Sequence, residues 1–278
     1  MLSVNAGEYG IVNLMFGKIL KSTLCIFCLM SCVALCADRN QVNLGCWDKT
    51  ALAQIITTAR HIDSPGNRIV AISRHFIDTP YVADTLIGDP QRAEELVINL
   101  AGFDCFTLID VVEALRRASD LDDFPEQLKR VRYRGGKVTY ESRRHFFSDW
   151  VDNDDAVVAD VTALVGQDKA QIVAKQLNLK SDSTHWLPGI PVTRRKITSI
   201  PTIKIDMEVL SRLQLGDYVG IYSDHAGLDV SHIGLIVKGK NSIMLRHSSS
   251  RDKVKRVVDV DLLKYLQGKP GLVVYRAE

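Results

Sequence analysis

The chain of 278 residues is short of everything that marks the commonest function classes. It has almost no charge imbalance: 35 Lys and Arg against 33 Asp and Glu leave +2 with neutral histidines. Bulk charge therefore selects neither a nucleic-acid partner nor a membrane surface. There is no internal repeat, no glycine-rich phosphate loop and no dinucleotide fingerprint, which sets aside solenoids and the common nucleotide enzymes. Long apolar runs are missing except for one, Thr23 to Ala37, and that run is short for a membrane span. Cysteine is scarce beyond it. Of six cysteines, Cys25, Cys28, Cys32 and Cys36 lie within the run, leaving Cys46 and Cys105.

The run explains itself as a leader. Lys18 and Lys21 precede it and small residues end it, the pattern of a secretory signal. The expectation is a signal peptide over residues 1–37, cleaved near Ala37, with Met15 as an alternative start. Leu29-Met30-Ser31-Cys32 also resembles a bacterial lipoprotein processing site, making Cys32 a candidate lipid anchor. The expected location is periplasmic or secreted, possible lipidation included, with no integral span after cleavage. In an oxidising compartment Cys105 has a disulfide as its alternative fate. Cys46, in Asn43-Leu44-Gly45-Cys46-Trp47, is expected to be buried or paired with Cys36.

Residues 38–278 read as one domain with an insertion at about 120–205. With 46% hydrophobic and 24% charged residues it can bury a full core. Leu52, Ile55, Ile56, Ala59 and Ile62 recur at helical spacing behind Asp48, and a Ser-Pro-Gly-Asn break at 64–67 leads to a second helix. Residues 96–100 read as an apolar strand, Gly102 breaks it, and Asp104 caps a helix from Cys105 to about Ala118 that is apolar nearly all round and so buried. Arg132 to Lys137 predicts a strand and turn, Ser142 to Trp150 a helix, and 166–205 extended connections with little regular structure. From Leu213 the pattern is β: strands at 218–222, 230–237 and 242–247, a turn at 238–241, a short helix at 260–266 and a last strand from Gly271 to Arg276. Helices first and an antiparallel sheet afterwards is an α+β architecture.

Cys105 sits where a nucleophile would be wanted. A thiol in the first turn of a helix meets unpaired N–H groups and the positive end of the macrodipole, which predicts a favoured thiolate. If the 238–241 turn centres on Gly239 and Lys240, His232 lies directly opposite His247, with Cβ atoms about 4.5–5.5 Å apart. His232 would then take the thiol proton and His247 orient it, with Gly234 leaving room beside the imidazole. Either histidine is otherwise an ordinary core or surface residue, as are His61, His75, His145, His185 and His225. Cys105, His232, His247 and Asp229 or Asp217 also form a conceivable zinc set, yet no Cys-x-x-Cys occurs beyond the leader and no His-Glu-x-x-His anywhere. Neither metal nor organic cofactor is called for. The basic and aromatic segment 132–150 is either a solvated face or a surface for carboxylate-bearing substrates.

These residues resemble a known pattern. Asp104-Cys105 opening a buried helix, Gly216-Asp217 opening a strand, then His232-Ile233-Gly234 and His247, are similar to the NlpC-type branch of papain-like cysteine peptidases. More closely, the chain resembles the bacterial N-acetylmuramoyl-L-alanine amidase-like family, formerly domain-of-unknown-function family 1460. The match rests on Asn99-Leu100 with Phe103 to Thr107, Tyr133-Arg134-Gly135, Ser142-Arg143 with His145, Asp149-Trp150 with Asn153, Leu228-Asp229 with His232, and Arg246 to Ser249. The resemblance implies a papain-like fold with the nucleophile helix packed on a C-terminal antiparallel sheet or half-barrel. It implies Cys105 as nucleophile, His232 as general base, His247 as orienting residue and the Cys105 N–H as oxyanion donor. It further implies amide hydrolysis through a thioester in peptidoglycan or muropeptides, at the lactyl–L-alanine bond or, alternatively, at a γ-D-glutamyl–diamino-acid bond. A wall-binding protein without the chemistry is the non-enzyme alternative. Tyr81, Asp104, Arg132, Tyr133, Arg134, Arg143, Trp150 and Asp229 are the candidate substrate-binding residues. One departure stands out: the generic NlpC-type cysteine is followed by Ser-Gly, whereas Phe106-Thr107 follow here.

Overall fold

In the computed structural model the described residues are 40–152, 155–240 and 242–278, so the leader expectations, Cys32, Cys36 and Asn153 lie outside them. The described residues belong to one compact unit. Strand β1 (Asn40–Asn43) leads to α1 (Lys49–Arg60) and α2 (Pro65–Arg74), then β2 (Ile87–Asp89) and β3 (Arg92–Asn99). Helices α3 (Cys105–Arg117) and α4 (Phe124–Arg132) follow, then β4 (Ala159–Asp160), α5 (Thr162–Gly166), β5 (Gln171–Leu177), β6 (Thr193–Pro201) and α6 (Met207–Arg212). The chain ends with β7 (Tyr218–Tyr222), β8 (Val230–Lys238), β9 (Ile243–Ser249), β10 (Arg256–Asp261), α7 (Leu262–Leu266) and β11 (Gly271–Arg276).

The helix starts follow from local chemistry. Asp48 accepts from the Ala51 N–H and Ser64 from the Asn67 N–H, so the break at 64–67 is itself the first turn of α2. At α3 the Asp104 carboxylate accepts from the N–H groups of Phe106 and Thr107, and the Thr107 hydroxyl accepts from the Asp104 N–H. This reciprocal cap fixes where the chain turns into the helix.

Two sheets result. A small one runs β1–β3–β2, with β1 parallel to β3. The large one is antiparallel in the order β10–β9–β8–β7–β11–β6–β5, with β4 also on β11. The protein is therefore α+β, with helices packed against an antiparallel sheet. One core joins α1 to α4 with Phe147, Trp150, Tyr218, Ile233 and Leu235; the second gathers Val219, Ile221, Ile236, Leu245, Leu262 and Leu266 on the sheet's other face. Helix α3 carries its charges inward in pairs: Glu113 accepts from Arg116, Arg117 and the Tyr218 hydroxyl, and buried charges are tolerated only when matched in this way.

Four local expectations are corrected. Arg132 ends α4, Tyr133 makes a bridge to Arg143, and residues 134–136 are a 3₁₀ turn, so no strand lies there. Within 142–150 only Phe147 onward is helical, as a 3₁₀ turn over Phe147–Val151. The stretch 166–205 is not irregular: β5 and β6 form a seven-rung antiparallel pair from Gln171↔Ser199 to Leu177↔Thr193. Cys46 is exposed rather than buried, and neither it nor Cys105 makes a disulfide among the described residues. No described helix is long and apolar enough to cross a membrane.

Candidate active site

The β8–β9 pairing decides how the two histidines meet. Leu235 pairs with Arg246 and Lys238 with Ile243, so the register is offset by two from the expected one. Gly234, not His232, stands across from His247: a Cβ on Gly234 would lie 3.1 Å from the His247 Cβ and 2.6 Å from the Arg246 carbonyl oxygen. His232 is the diagonal neighbour on the same face, and its ring meets that of His247 across Gly234, where close packing leaves no room for a side chain. Their centroids are 4.8 Å apart at 86°, and His232 Nε2 lies 2.7 Å from His247 Nδ1. Tyr265 of α7 completes the cluster, its ring 5.0 Å from His247 and 5.9 Å from His232.

That bond sets the tautomers. With Nε2 of His232 engaged by His247, only Nδ1 is left to face a thiol. For Nδ1 to accept a proton, His232 must donate from Nε2 and His247 must accept at Nδ1. Arg246 anchors the strand behind them, donating bidentately to Asp259 at 2.7 Å and to the Ser73 hydroxyl of α2 at 3.0 Å.

Cys105 and His232 line one cleft of about 300 Å³, walled by Phe106, Phe146, Trp186 and Asp229. The Ile233 N–H of β8 and the N–H groups of Cys105 and Phe106 face the sulfur and favour its charge. Burial and the Asp104 carboxylate oppose them and win, pushing the thiol up to about 12. The expected thiolate is thus corrected: the helix start does stabilise the anion, but desolvation outweighs it. Burial, His247, Lys269 and Arg251 pull His232 down to about 3; burial and Arg251 pull His247 down to about 4, against Asp259 and the Ser248 backbone. Both imidazoles are neutral acceptors near neutral pH.

The remaining candidates divide. Asp229 lines the cleft, but its carboxylate is held by the Ser148 and Val230 N–H groups at 2.7 Å. Tyr81 bridges to Phe103 and lies in the field of Cys105 and Asp104. Asp104 spends its carboxylate on the helix cap. The others are drawn into the scaffold and do not line the cleft. Arg132 is buried against Asp110 at 2.8 Å and the Val97 carbonyl, and the Tyr133 hydroxyl donates to Glu94 at 2.8 Å. Arg143 pairs with the same Glu94, Arg134 with Asp149 at 2.6 Å, and Trp150 is fully buried edge-on to Tyr218. Among the described residues no group of three or more His, Cys, Asp or Glu is placed to hold a metal ion; Asp217 is bound by Arg276.

One wall of the cleft, Trp186, is absent from the sequence candidates. Trp186 sits in the β5–β6 loop, where it is 43% exposed. Its Nε1 donates to the Ala226 carbonyl, and Gly227, at φ +80°, leaves the space its ring fills. Buried Asn178 organises that loop, bonding the Leu187 N–H and the carbonyls of Leu187 and Ile190. The Trp-Leu-Pro-Gly run after a polar stretch was the available signal.

The model of a family described as AmiA-like, N-acetylmuramoyl-L-alanine amidase-like, matches residues 71–272. The chain belongs to that family. Among solved structures, an N-acetylmuramoyl-L-alanine amidase from Bacteroides uniformis is 28% identical with a TM-score of 0.66, over 77% of this chain and 99% of that one. Protein LPG0564 from Legionella pneumophila, of family DUF1460, is 22% identical and shares the fold with a TM-score of 0.68, over 82% and 94% of the two chains. A Bacteroides fragilis protein that bears a provisional xylanase name is 30% identical with a TM-score of 0.61, over 73% and 98%. No curated protein matches. Membership in the AmiA-like family supports an amidase-like, hydrolytic function directed at peptidoglycan.

Proposed function

We propose that the protein is an exported cysteine amidase of the N-acetylmuramoyl-L-alanine amidase type, acting on peptidoglycan or muropeptides through Cys105, His232 and His247. The observation that carries this reading is the shared cleft: Cys105 at the capped start of α3 and His232, itself hydrogen-bonded to His247, line one cavity. A helix bearing the thiol and a sheet bearing the base is the arrangement of a papain-like, NlpC-type peptidase. The walls are mostly apolar and the thiol and imidazoles neutral, so attack and proton transfer coincide. Sγ of Cys105 bonds to the amide carbon as its proton passes to His232 Nδ1, and the Cys105 N–H faces the developing oxyanion. The imidazolium then protonates the leaving nitrogen, giving a thioester, and His232 next takes a proton from water to hydrolyse it.

The xylanase name of one relative points elsewhere, and the cleft argues against it. Glycoside hydrolysis wants two carboxyl groups about 5–10 Å apart flanking the bond; here Asp229 is the carboxylate on the cleft wall, and backbone amides hold it. The test is incubation of the protein with defined muropeptides followed by mass spectrometry. Release of free disaccharide with an intact stem peptide is expected; a trimmed stem peptide would mean the γ-D-glutamyl bond instead. Cys105→Ala and His232→Ala should abolish turnover with the fold intact, and His247→Ala should cost less because water partly replaces an orienting group. Full hydrolysis by Cys105→Ala would remove the proposal.

A further inference from the structure

At the histidine pair lies a second cavity of about 240 Å³, bounded by His232, His247, Ser249, Tyr265, Arg251 and Lys269. It shares both imidazoles with the site but belongs to none of the steps above. Its charge is one-sided. Arg251 stands over the Tyr265 ring at 5.5 Å, and among the described residues neither Arg251 nor Lys269 has an ion-pair partner. The acids nearby in sequence are engaged elsewhere: Asp252 with Lys255, Asp259 with Arg246, and Asp261 at the N-terminus of α7. Two uncompensated cations therefore face the imidazoles from a cavity that adjoins the thiol's cleft at Ser231 and His232.

For catalysis this is an awkward place for bare positive charge. Both cations disfavour a proton on His232, and Arg251 does so on His247, whereas the reaction needs an imidazolium for an instant. An anion in the cavity would neutralise the cations and turn the local field in favour of that proton. A substrate that brings its own anion would fill this role only when correctly seated.

We propose that Arg251 and Lys269 form a subsite for a free carboxylate of the peptide substrate, the α-carboxylate of the γ-linked glutamyl residue one residue beyond the scissile lactyl–alanine amide. This rests on the amidase reading above. The guanidinium offers a planar fork to a carboxylate and the ammonium a compact charge beside it, while Ser249 and the exposed Ser250 add polar lining. Seated there, the peptide would be held by its acid group in this cavity and present its amide to Cys105 in the adjoining cleft, the two cavities sharing Ser231 and His232.

The experiment uses two muramoyl tripeptides, both amidated at the C-terminus, with the glutamyl α-carboxylate free in one and amidated in the other. Binding to full-length Cys105→Ala is measured by calorimetry, and turnover by the unmodified protein is measured alongside. The free acid should bind at least about tenfold tighter, and the margin should fall to about twofold or less when Arg251→Gln and Lys269→Gln are added. Thermal melting checks that the added substitutions, on an exposed and a half-buried side chain, leave the fold in place. Equal binding of the two compounds, no binding of either, or an acid preference that survives both substitutions would overturn the subsite. Turnover decides the other question separately: cleavage of both compounds at equal rates removes the subsite and keeps the amidase, whereas acid-selective binding without cleavage keeps the subsite and removes the amidase.

Discussion

The resting protonation state of Cys105 is open to direct perturbation by pH. Moving a proton from a thiol at about 12 to an imidazole at about 3 is uphill by about 12 kcal/mol. Attraction between the resulting charges returns about 4 kcal/mol at 4 Å and an effective dielectric of 20. About 8 kcal/mol remains in favour of the neutral pair, which holds the ion pair to about one part in 10⁶, and direct ionisation of a thiol at about 12 leaves about one part in 10⁵ as thiolate at pH 7. The assay is iodoacetamide alkylation followed by peptide mapping, which separates Cys105 from the exposed Cys46. The Cys105 rate should climb about tenfold per pH unit from 7 to 10 with no plateau. Asp104→Asn keeps a good cap but deletes the carboxylate that opposes the thiolate, and should raise the rate severalfold at each pH. A plateau between pH 5 and 8, the signature of a preformed ion pair, would refute the reasoning, as would an unchanged rate in Asp104→Asn.

Other consequences follow from the same structure. His145, His232 and His247 are lowered to about 4, 3 and 4, so between pH 6.5 and about 4 the unfolded chain binds protons that the native one does not. Their contribution to stability is full above pH 6.5 and is lost as pH falls, by about 1.4 kcal/mol per unit per histidine, which urea titrations at pH 7.5, 6 and 5 would read. Gly234→Ala should cost about 1–3 kcal/mol through overpacking and depress activity beyond its effect on folding, because its methyl meets the Arg246 carbonyl and the His247 Cβ. Arg132→Met leaves buried Asp110 without its partner and should cost about 3–5 kcal/mol in chemical denaturation; an unchanged KM in the folded fraction would separate this from a substrate contact.

What was legible in the sequence was what local chemistry decides. The α3 start is readable because Asp104 and Thr107 cap each other within four residues, and β7 to β9 because their apolar residues mark turn-bounded strands. The His232–His247 meeting was legible, its register was not: the pairing of Lys238 with Ile243 shifts the rungs by two, and the pair survives because a diagonal neighbour is still in reach. Strands β5 and β6 escaped because much of their surface is solvated, so Lys175, Arg194, Arg195 and Lys196 replace the apolar alternation that marks a strand. The arginines misled for a different reason. Arg132 and Arg143 find their carboxylates, Asp110 and Glu94, 22 and 49 residues away, and no local pattern announces such a partner. The thiol's acidity was out of reach too, because desolvation by packing against β8 is a tertiary quantity.

The most direct test of the account is the mass of Cys105 during turnover. The protein is mixed with a defined muropeptide, quenched in acid at short times, digested and mapped. An acyl adduct on the peptide containing Cys105, equal in mass to the carbonyl side of the cleaved amide, is the expected result, absent in Cys105→Ala together with the products. Product formation with Cys105 unmodified at every time point, and unimpaired in Cys105→Ala, would contradict it.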